Sequence, residues 1–521
     1  MANRRWLLLL TLVSWASAMS AATAQELTWK PYRFEPADAS PVDAEMGTFS
    51  VPLSRSRPDS GRLKLSVVRF RSTAAAPGPP ILYLAGGPGG SAIETARGPR
   101  FPYFMALREA ADVLVLDQRG TGLSAPLVIL CRESWTLPVD RPGDREEMLA
   151  PAKSHSESCA ALLARNGTRV ADYNSDESAD DVEDLRKALG VPRLSIWGVS
   201  YGTQLALDLV RRHPGTVHRM ALVGVEGPDH TLRLPADAEA HLRTVGRLAG
   251  EVVPDLPGLL RSLLDKLGAQ PVEVEVFDRF AGRKVKVRAG RFDLQLMTAQ
   301  ALGSLEGIRG LPANLLAMSR GDFSSLGESV YRRRKGWLGS ALPYAVNCAS
   351  GVSPERWQRI LAQEKETLLG RAMDFPFPEI CDGWRVPDLG PAYRAPVRSD
   401  VPTLFVGGTL DMRTPVSNME ETAAGFPNGE RLVVERGGHG DDLLLNVPEL
   451  PQRLRAFFQG AAPGPARITI PPLRFRATPG HAGETPAGAG EAPRGSGDTP
   501  GSAGKAPRQS GKAPRQSGET P

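Results

Sequence analysis

Two kinds of apolar spacing organise the first half of the chain. Residues 48–53 and 63–71 alternate apolar and polar positions. That is the two-residue period of a strand with one buried face, so the pair reads as a half-buried hairpin. Residues 81–84, 113–117, 193–198, 220–225, 403–406 and 431–434 are short apolar runs rich in β-branched residues or leucine, as strands buried on both faces of a parallel sheet require. Between several of them the period lengthens. Val182, Leu185 and Leu189 share one face of residues 179–189 after an acidic start, and Leu205 and Leu209 recur at helical spacing within 203–212. Strand, helix and strand in repeated order predict an α/β domain with a mostly parallel central sheet flanked by helices.

That order breaks over residues 228–396. Helical patterns dominate there, around one hairpin-like stretch, VEVEVFDRFAGRKVKV at 272–287. The segment is expected to be an inserted, largely helical cap over the carboxyl edge of the sheet. The core is then split into residues 25–227 and 397–463. From residue 464 the composition turns to Gly, Pro, Ala, Ser, Thr and charge, and GKAPRQS at 504–510 repeats at 511–517. Such a stretch buries too little apolar surface to offset its ordering entropy, so 464–521 is expected to be a low-complexity, disordered tail. Residues 468–475 alone retain the apolar content for a further strand or arm. At the other end, Arg4 and Arg5 precede an apolar run at 6–18 and then Ala22-Thr23-Ala24. Residues 1–24 read as a secretory signal cleaved before Gln25, since the run is shorter than the about 20 residues of a membrane-spanning helix. With no later segment of spanning length, the mature chain is expected to be exported, periplasmic or extracellular, without an integral span.

Composition narrows the function classes. The 63 basic and 58 acidic residues leave a net charge of +5, too balanced for a dedicated nucleic-acid binder with its basic stripe. The four cysteines lack the close spacing of a structural zinc site, and no metal or other cofactor is expected. In an oxidising compartment they should form two bridges. Of the three possible pairings, Cys131–Cys159 and Cys348–Cys381 close modest loops and keep each bridge within one region.

The strongest chemical signal is Gly198-Val199-Ser200-Tyr201-Gly202, which follows a strand-like run and precedes a helical pattern. That is the context of the G-x-S-x-G nucleophile elbow, a turn that lifts a serine hydroxyl above the sheet. Serine is a weak nucleophile until a base takes its proton, and in this fold the partners follow in the order Ser, acid, His. His439 stands in GGHGDD after the strand-like 431–434, and Asp411 follows the run at 403–406. Asp411 is placed to hold the His439 tautomer and stabilise its imidazolium. The loop Gly86-Gly87-Pro88-Gly89-Gly90 comes straight after the run at 81–84. A free N–H there can complete an oxyanion hole with that of Tyr201. A phosphate loop is the competing reading, but no G-K-[ST] follows.

Taken together, GGPGG at 86–90, DQRGTGLS at 117–124, GVSYG at 198–202, GTLDMRTP at 408–415 and GGHG at 437–440 resemble the proline iminopeptidase and tripeptidyl aminopeptidase group of α/β-hydrolases, over about residues 45–460. The resemblance implies a metal-free serine exopeptidase or related hydrolase. Ser200 would be the nucleophile, Asp411 the acid and His439 the base. Gly87 and Tyr201 would supply the oxyanion N–H groups, with Gly86 a substitute for Gly87, and Asp117 and Arg119 would hold the loop beside the site. Two positions depart from the group's pattern. Ala85 stands where the iminopeptidases usually have His, and LVGVEGP at 222–228 replaces the LDGVVDP of many secreted relatives, which moves the acidic group to Glu226.

The leading functional expectation is a secreted serine aminopeptidase acting on peptide substrates. The same triad would serve an esterase or small-amide hydrolase with an acyl substrate. A non-catalytic cell-surface binding protein is the third reading, and an intact triad argues against it. An aminopeptidase must place a carboxylate near its substrate's ammonium group. Glu226, at the carboxyl end of the strand after the nucleophile helix, is the first candidate, and Asp229 the second.

Overall fold

The alternating stretches become two neighbouring antiparallel strands in the computed structural model, which describes residues 27–124, 131, 137–279, 281–335, 340–462 and 464–476. The secretory-signal reading of residues 1–24 and the tail reading beyond 476 lie outside the described residues. The strands are β1 (Thr28–Phe34), β2 (Val42–Pro52), β3 (Arg62–Phe70), β4 (Ile81–Leu84), β5 (Val113–Asp117), β6 (Leu194–Val199), β7 (Val217–Val223), β8 (Val272–Asp278), β9 (Arg283–Ala289), β10 (Thr403–Gly408), β11 (Gly429–Glu435) and β12 (Arg467–Thr469). β2 and β3 are the hairpin read from the alternation, with Thr48 opposite Ser66 and Val51 opposite Leu63. β1 adds to its outer side. Only Phe34 of β1 is fully buried, which explains why no apolar period announces it.

The sheet runs β1-β2-β3-β5-β4-β6-β7-β10-β11-β12. Pairing is antiparallel from β1 to β5 and parallel from β5 onward. β4, β5, β6 and β10 are buried along their whole length, as expected for strands covered on both faces. β4 lies between β5 and β6, so the winding direction reverses there. Leu84 and Gly198 come side by side at the carboxyl ends of β4 and β6. Open α/β sheets bind their ligands at such a switch point.

Successive residues of β4 and β6 serve opposite faces. Leu82, Leu84, Leu194 and Ile196 join one apolar cluster, and Ile81, Tyr83, Trp197 and Val199 the other. On the second face Trp197 packs 4.6 Å from Tyr83 and 5.1 Å from Phe104, ring centre to ring centre. The helix Ser175–Leu189 starts at Asn174, whose side chain accepts the Glu177 N–H, and ends at Gly190 with φ 67°. Asparagine favours helix starts and glycine helix ends for these reasons.

Between β7 and β10 the chain builds a layer of helices around the separate β8–β9 hairpin. These helices share their own apolar cluster, including Leu242, Leu263, Leu294 and Leu311. Cys131 is joined to Cys159 and Cys348 to Cys381, with Cα separations of 5.5 and 5.3 Å.

The sheet does not stop at residue 463, where the core was expected to end. β12 pairs in parallel with β11, Ile468 opposite Val434, and Ile468 and Ile470 are buried. Beyond it, Leu473 and Phe475 pack against the apolar cluster of the helical segment. Glycine and proline on both sides hide this two-residue period in any average of composition.

Candidate active site

Ser200 occupies the turn between β6 and the helix Tyr201–Arg212, with φ 55° and ψ −129°. A non-glycine residue in this region is strained, and such strain persists only where the surroundings over-determine it. The two flanking glycines show what does so here. A Cβ on Gly202 would stand 2.1 Å from the Leu84 carbonyl oxygen, and one on Gly198 would stand 2.7 Å from the Gly202 carbonyl oxygen. The turn closes only because both positions lack a side chain. It delivers the serine to the end of the sheet beside the β4 loop.

Asp411 follows β10 and His439 follows β11. His439 Nε2 lies 3.0 Å from Ser200 Oγ, and its Nδ1 lies 2.8 Å from Asp411 Oδ2. Thr414, which the sequence reading did not single out, braces the acid. Its N–H donates to Asp411 Oδ1 at 2.9 Å and its hydroxyl to Oδ2 at 2.6 Å. Burial pushes the Asp411 carboxyl up, but His439 and Thr414 together hold it below the usual carboxylate range. An ionised Asp411 favours the His439 tautomer with its N–H at Nδ1, which leaves Nε2 as the acceptor facing Ser200 Oγ.

Backbone lines the side of Ser200 toward the β4 loop. Gly86 presses on the serine, where a Cβ would come within 2.8 Å of Ser200 Cβ. The N–H groups of Gly87 and Tyr201 donate to no acceptor among the described residues. That of Tyr201 is the first of its helix, at the positive end of the helix dipole. Gln118 Nε2 fixes the loop by donating to the Ala85 carbonyl at 3.1 Å. Asp117 accepts from Ser91 Oγ and from the Ile93 and Leu123 N–H groups, while Arg119 is tied to Asp181 and to the Asp172 carbonyl. These residues hold the loop and do not reach the serine.

Glu226 lies just past β7, its N–H bonded to Thr203 Oγ1 at 2.8 Å. Its carboxyl makes no hydrogen bond or ion pair among the described residues. Arg233, the nearby cation, pairs instead with Asp374, 2.8 Å from Nη1 to Oδ1. Burial pushes the Glu226 carboxyl up to about 7; Arg233 opposes the rise and Asp374 adds to it. Asp229, the second candidate, is spent elsewhere. Its oxygens take the Ser353 N–H and hydroxyl at 2.7 and 2.5 Å, anchoring the start of the helix Pro354–Glu364. His241, on the helix Pro235–Leu248, was also missed. It is buried with Nε2 unpaired. Burial brings it down to about 4 while Asp411 pulls the other way, so it is neutral.

A ten-stranded sheet with this crossover order and a serine at its switch point defines an α/β-hydrolase. Residues 79–441 match the alpha/beta hydrolase fold family, and the chain belongs to it. It is a hydrolase. A tripeptidyl aminopeptidase of Streptomyces coelicolor is 25% identical over 456 residues, 78% of this chain and 79% of that protein. The serine protease Hip1 of Mycobacterium tuberculosis is 28% identical over 214 residues, 39% of this chain and 40% of its own. A proline iminopeptidase of Arabidopsis thaliana is 27% identical over 169 residues, 32% of each chain.

Proposed function

We propose that the chain is an exported serine aminopeptidase that cleaves peptide bonds near free N-termini through Ser200, His439 and Asp411. The observation that carries the reading is the unbroken contact from Asp411 through His439 to Ser200, at 2.8 and 3.0 Å. The names of the relatives, tripeptidyl aminopeptidase foremost, favour a peptide substrate. Two disulfides support export, and among the described residues no helix is long and apolar enough to cross a membrane.

In this scheme Ser200 Oγ attacks the scissile carbonyl as its proton passes to His439 Nε2. The tetrahedral oxygen takes its negative charge toward the Gly87 and Tyr201 N–H groups. His439 then gives the proton to the leaving amine, and the C–N bond breaks to leave an acyl-serine. Water, deprotonated by His439, adds to the acyl carbon, and Ser200 leaves with that proton. Asp411 stays ionised throughout and stabilises the imidazolium. Glu226, the carboxyl without a protein partner, binds the substrate ammonium.

A panel of tripeptidyl, aminoacyl and short-chain acyl reporters, each with a free and an N-acetylated amine, tests the reading. Hydrolysis of the free-amine peptides with little or none of the acetylated forms is expected. Equal cleavage of both would overturn the aminopeptidase reading in favour of an esterase or small-amide hydrolase.

A further inference from the structure

Two consecutive carboxylates follow the GGHG turn, and the scheme above uses neither. Asp441 faces the sheet. Its Oδ1 accepts from Arg100 Nε at 2.5 Å, and Arg100 Nη1 donates to the Tyr83 hydroxyl at 2.7 Å. Tyr83 lies on β4, which leads into the oxyanion loop, and packs on Trp197 of β6, the nucleophile's strand. Asp442 faces the other way. Its Oδ2 accepts the Leu305 N–H at 2.7 Å, the first residue of the helix Leu305–Ser319. Its own N–H donates to the His439 carbonyl at 3.0 Å.

The first N–H of a helix has no partner within the helix and sits at its positive end, so a carboxylate both satisfies it and gains from the dipole. The approach is close. A Cβ on Gly438 would stand 2.7 Å from Asp442 Cβ and 2.8 Å from Leu305 Cγ. The loop of the acid meets the same layer, because Leu410 and Met412 are buried in one apolar cluster with Leu305 and Ile308. Both loops that carry the base and the acid therefore rest on the helical segment between β7 and β10.

We infer that Asp442 is a positioning residue that docks the His439 turn on the start of the helix Leu305–Ser319, so that the reach of His439 to Ser200 depends on the helical segment being seated against the sheet. This rests on the proposed role of His439 as base. Asp441 and Arg100 hold the turn from the sheet side, and Asp442 holds it from the helical side.

The test needs no knowledge of the substrate. The full chain is labelled with a fluorophosphonate, and the maximal labelling rate is read separately from the half-saturating concentration. Asp442→Ala should lower the maximal rate on the order of tenfold, as a base displaced by a fraction of an ångström would, with half-saturation moved less than about twofold. Asp442→Asn keeps an oxygen for the Leu305 N–H and should recover most of that rate. Asp442→Ala labelling at the wild-type rate would overturn the inference. So would a slow rate that Asp442→Asn fails to restore while both variants melt at the wild-type temperature. If wild type itself is not labelled, or Ser200→Ala is labelled equally, the triad reading fails instead.

Discussion

Ser200 and His439 are both partly accessible while Asp411 is buried, the gradient the proposed proton relay needs, with the hydroxyl open to a reactant and the orienting charge kept dry. Ser200→Ala should fold normally and lose activity by roughly 10⁶, and Asp411→Asn by about 10⁴ through the wrong His439 tautomer. Steady-state rates with matched melting curves check both. Glu226 makes a second prediction, on stability. Its folded carboxyl is raised to about 7, above its unfolded value near 4.3. Between those values the folded state binds more protons than the unfolded state, so stability falls as pH rises through the window. Glu226→Gln removes that slope. Its melting temperature should exceed that of wild type by more at pH 8 than at pH 5, and an equal difference at both would show that the group is not raised. The residues named from sequence were those announced by glycine turns at strand ends. Arg100, Asp442 and His241 went unnoticed because each acquires its role only when a distant element arrives, and no local spacing records that; Thr414 lies only three residues from Asp411, and that short Asp-x-x-Thr spacing was the local signal passed over.

At the scale of elements, β4, β6 and β10 were legible because a strand covered on both faces must be apolar throughout, and their ends fell within a few residues of the expected runs; β11, only half-buried, still showed in the run at 431–434. β1 was not, because this edge strand buries only one of its seven side chains, and β12 was legible only as an apolar remnant at 468–475, which the structure turns into a strand at its start. The turn that carries Ser200 leaves its two glycines no room to change. Gly202→Ala must push on the Leu84 and Ala85 carbonyls, which belong to the end of β4 and the start of the glycine loop proposed to hold the oxyanion. We expect a loss of about 3 kcal/mol, at the upper end for overpacking, and a lower catalytic rate in whatever remains folded. Gly78→Ala is the control. Its nearest atom would be 3.7 Å away, and it should change neither thermal stability nor rate.

The whole molecule is fastened at a place that composition conceals. After β12 the chain leaves the sheet edge and crosses to the helical segment, where the Arg476 N–H donates to the Arg309 carbonyl at 3.0 Å and its guanidinium pairs with Glu306. Arg309 and Glu306 sit on the helix Leu305–Ser319, the one whose first N–H donates to Asp442. Residues 467–476 therefore act as a strap between β11 and the layer on which the His439 turn rests. A chain ending at Arg476 should match the full chain in melting temperature and rate, since residues 477–521 contain few apolar side chains able to contribute to a core. A chain ending at Gly464 loses two buried isoleucines together with Leu473 and Phe475. At about 1.5–3 kcal/mol for each fully buried side chain, and less for the two partly exposed ones, the loss should be about 5 kcal/mol, enough to lower the melting temperature of a folded unit this large by about 5 °C. It should also slow fluorophosphonate labelling at temperatures where the shortened chain is still folded, because the helix that seats the His439 turn has lost its tie to the sheet. Thermal melts and labelling rates of the two truncations decide the matter: equal behaviour of both would mean that β12 and the strap contribute nothing to the fold or to the site.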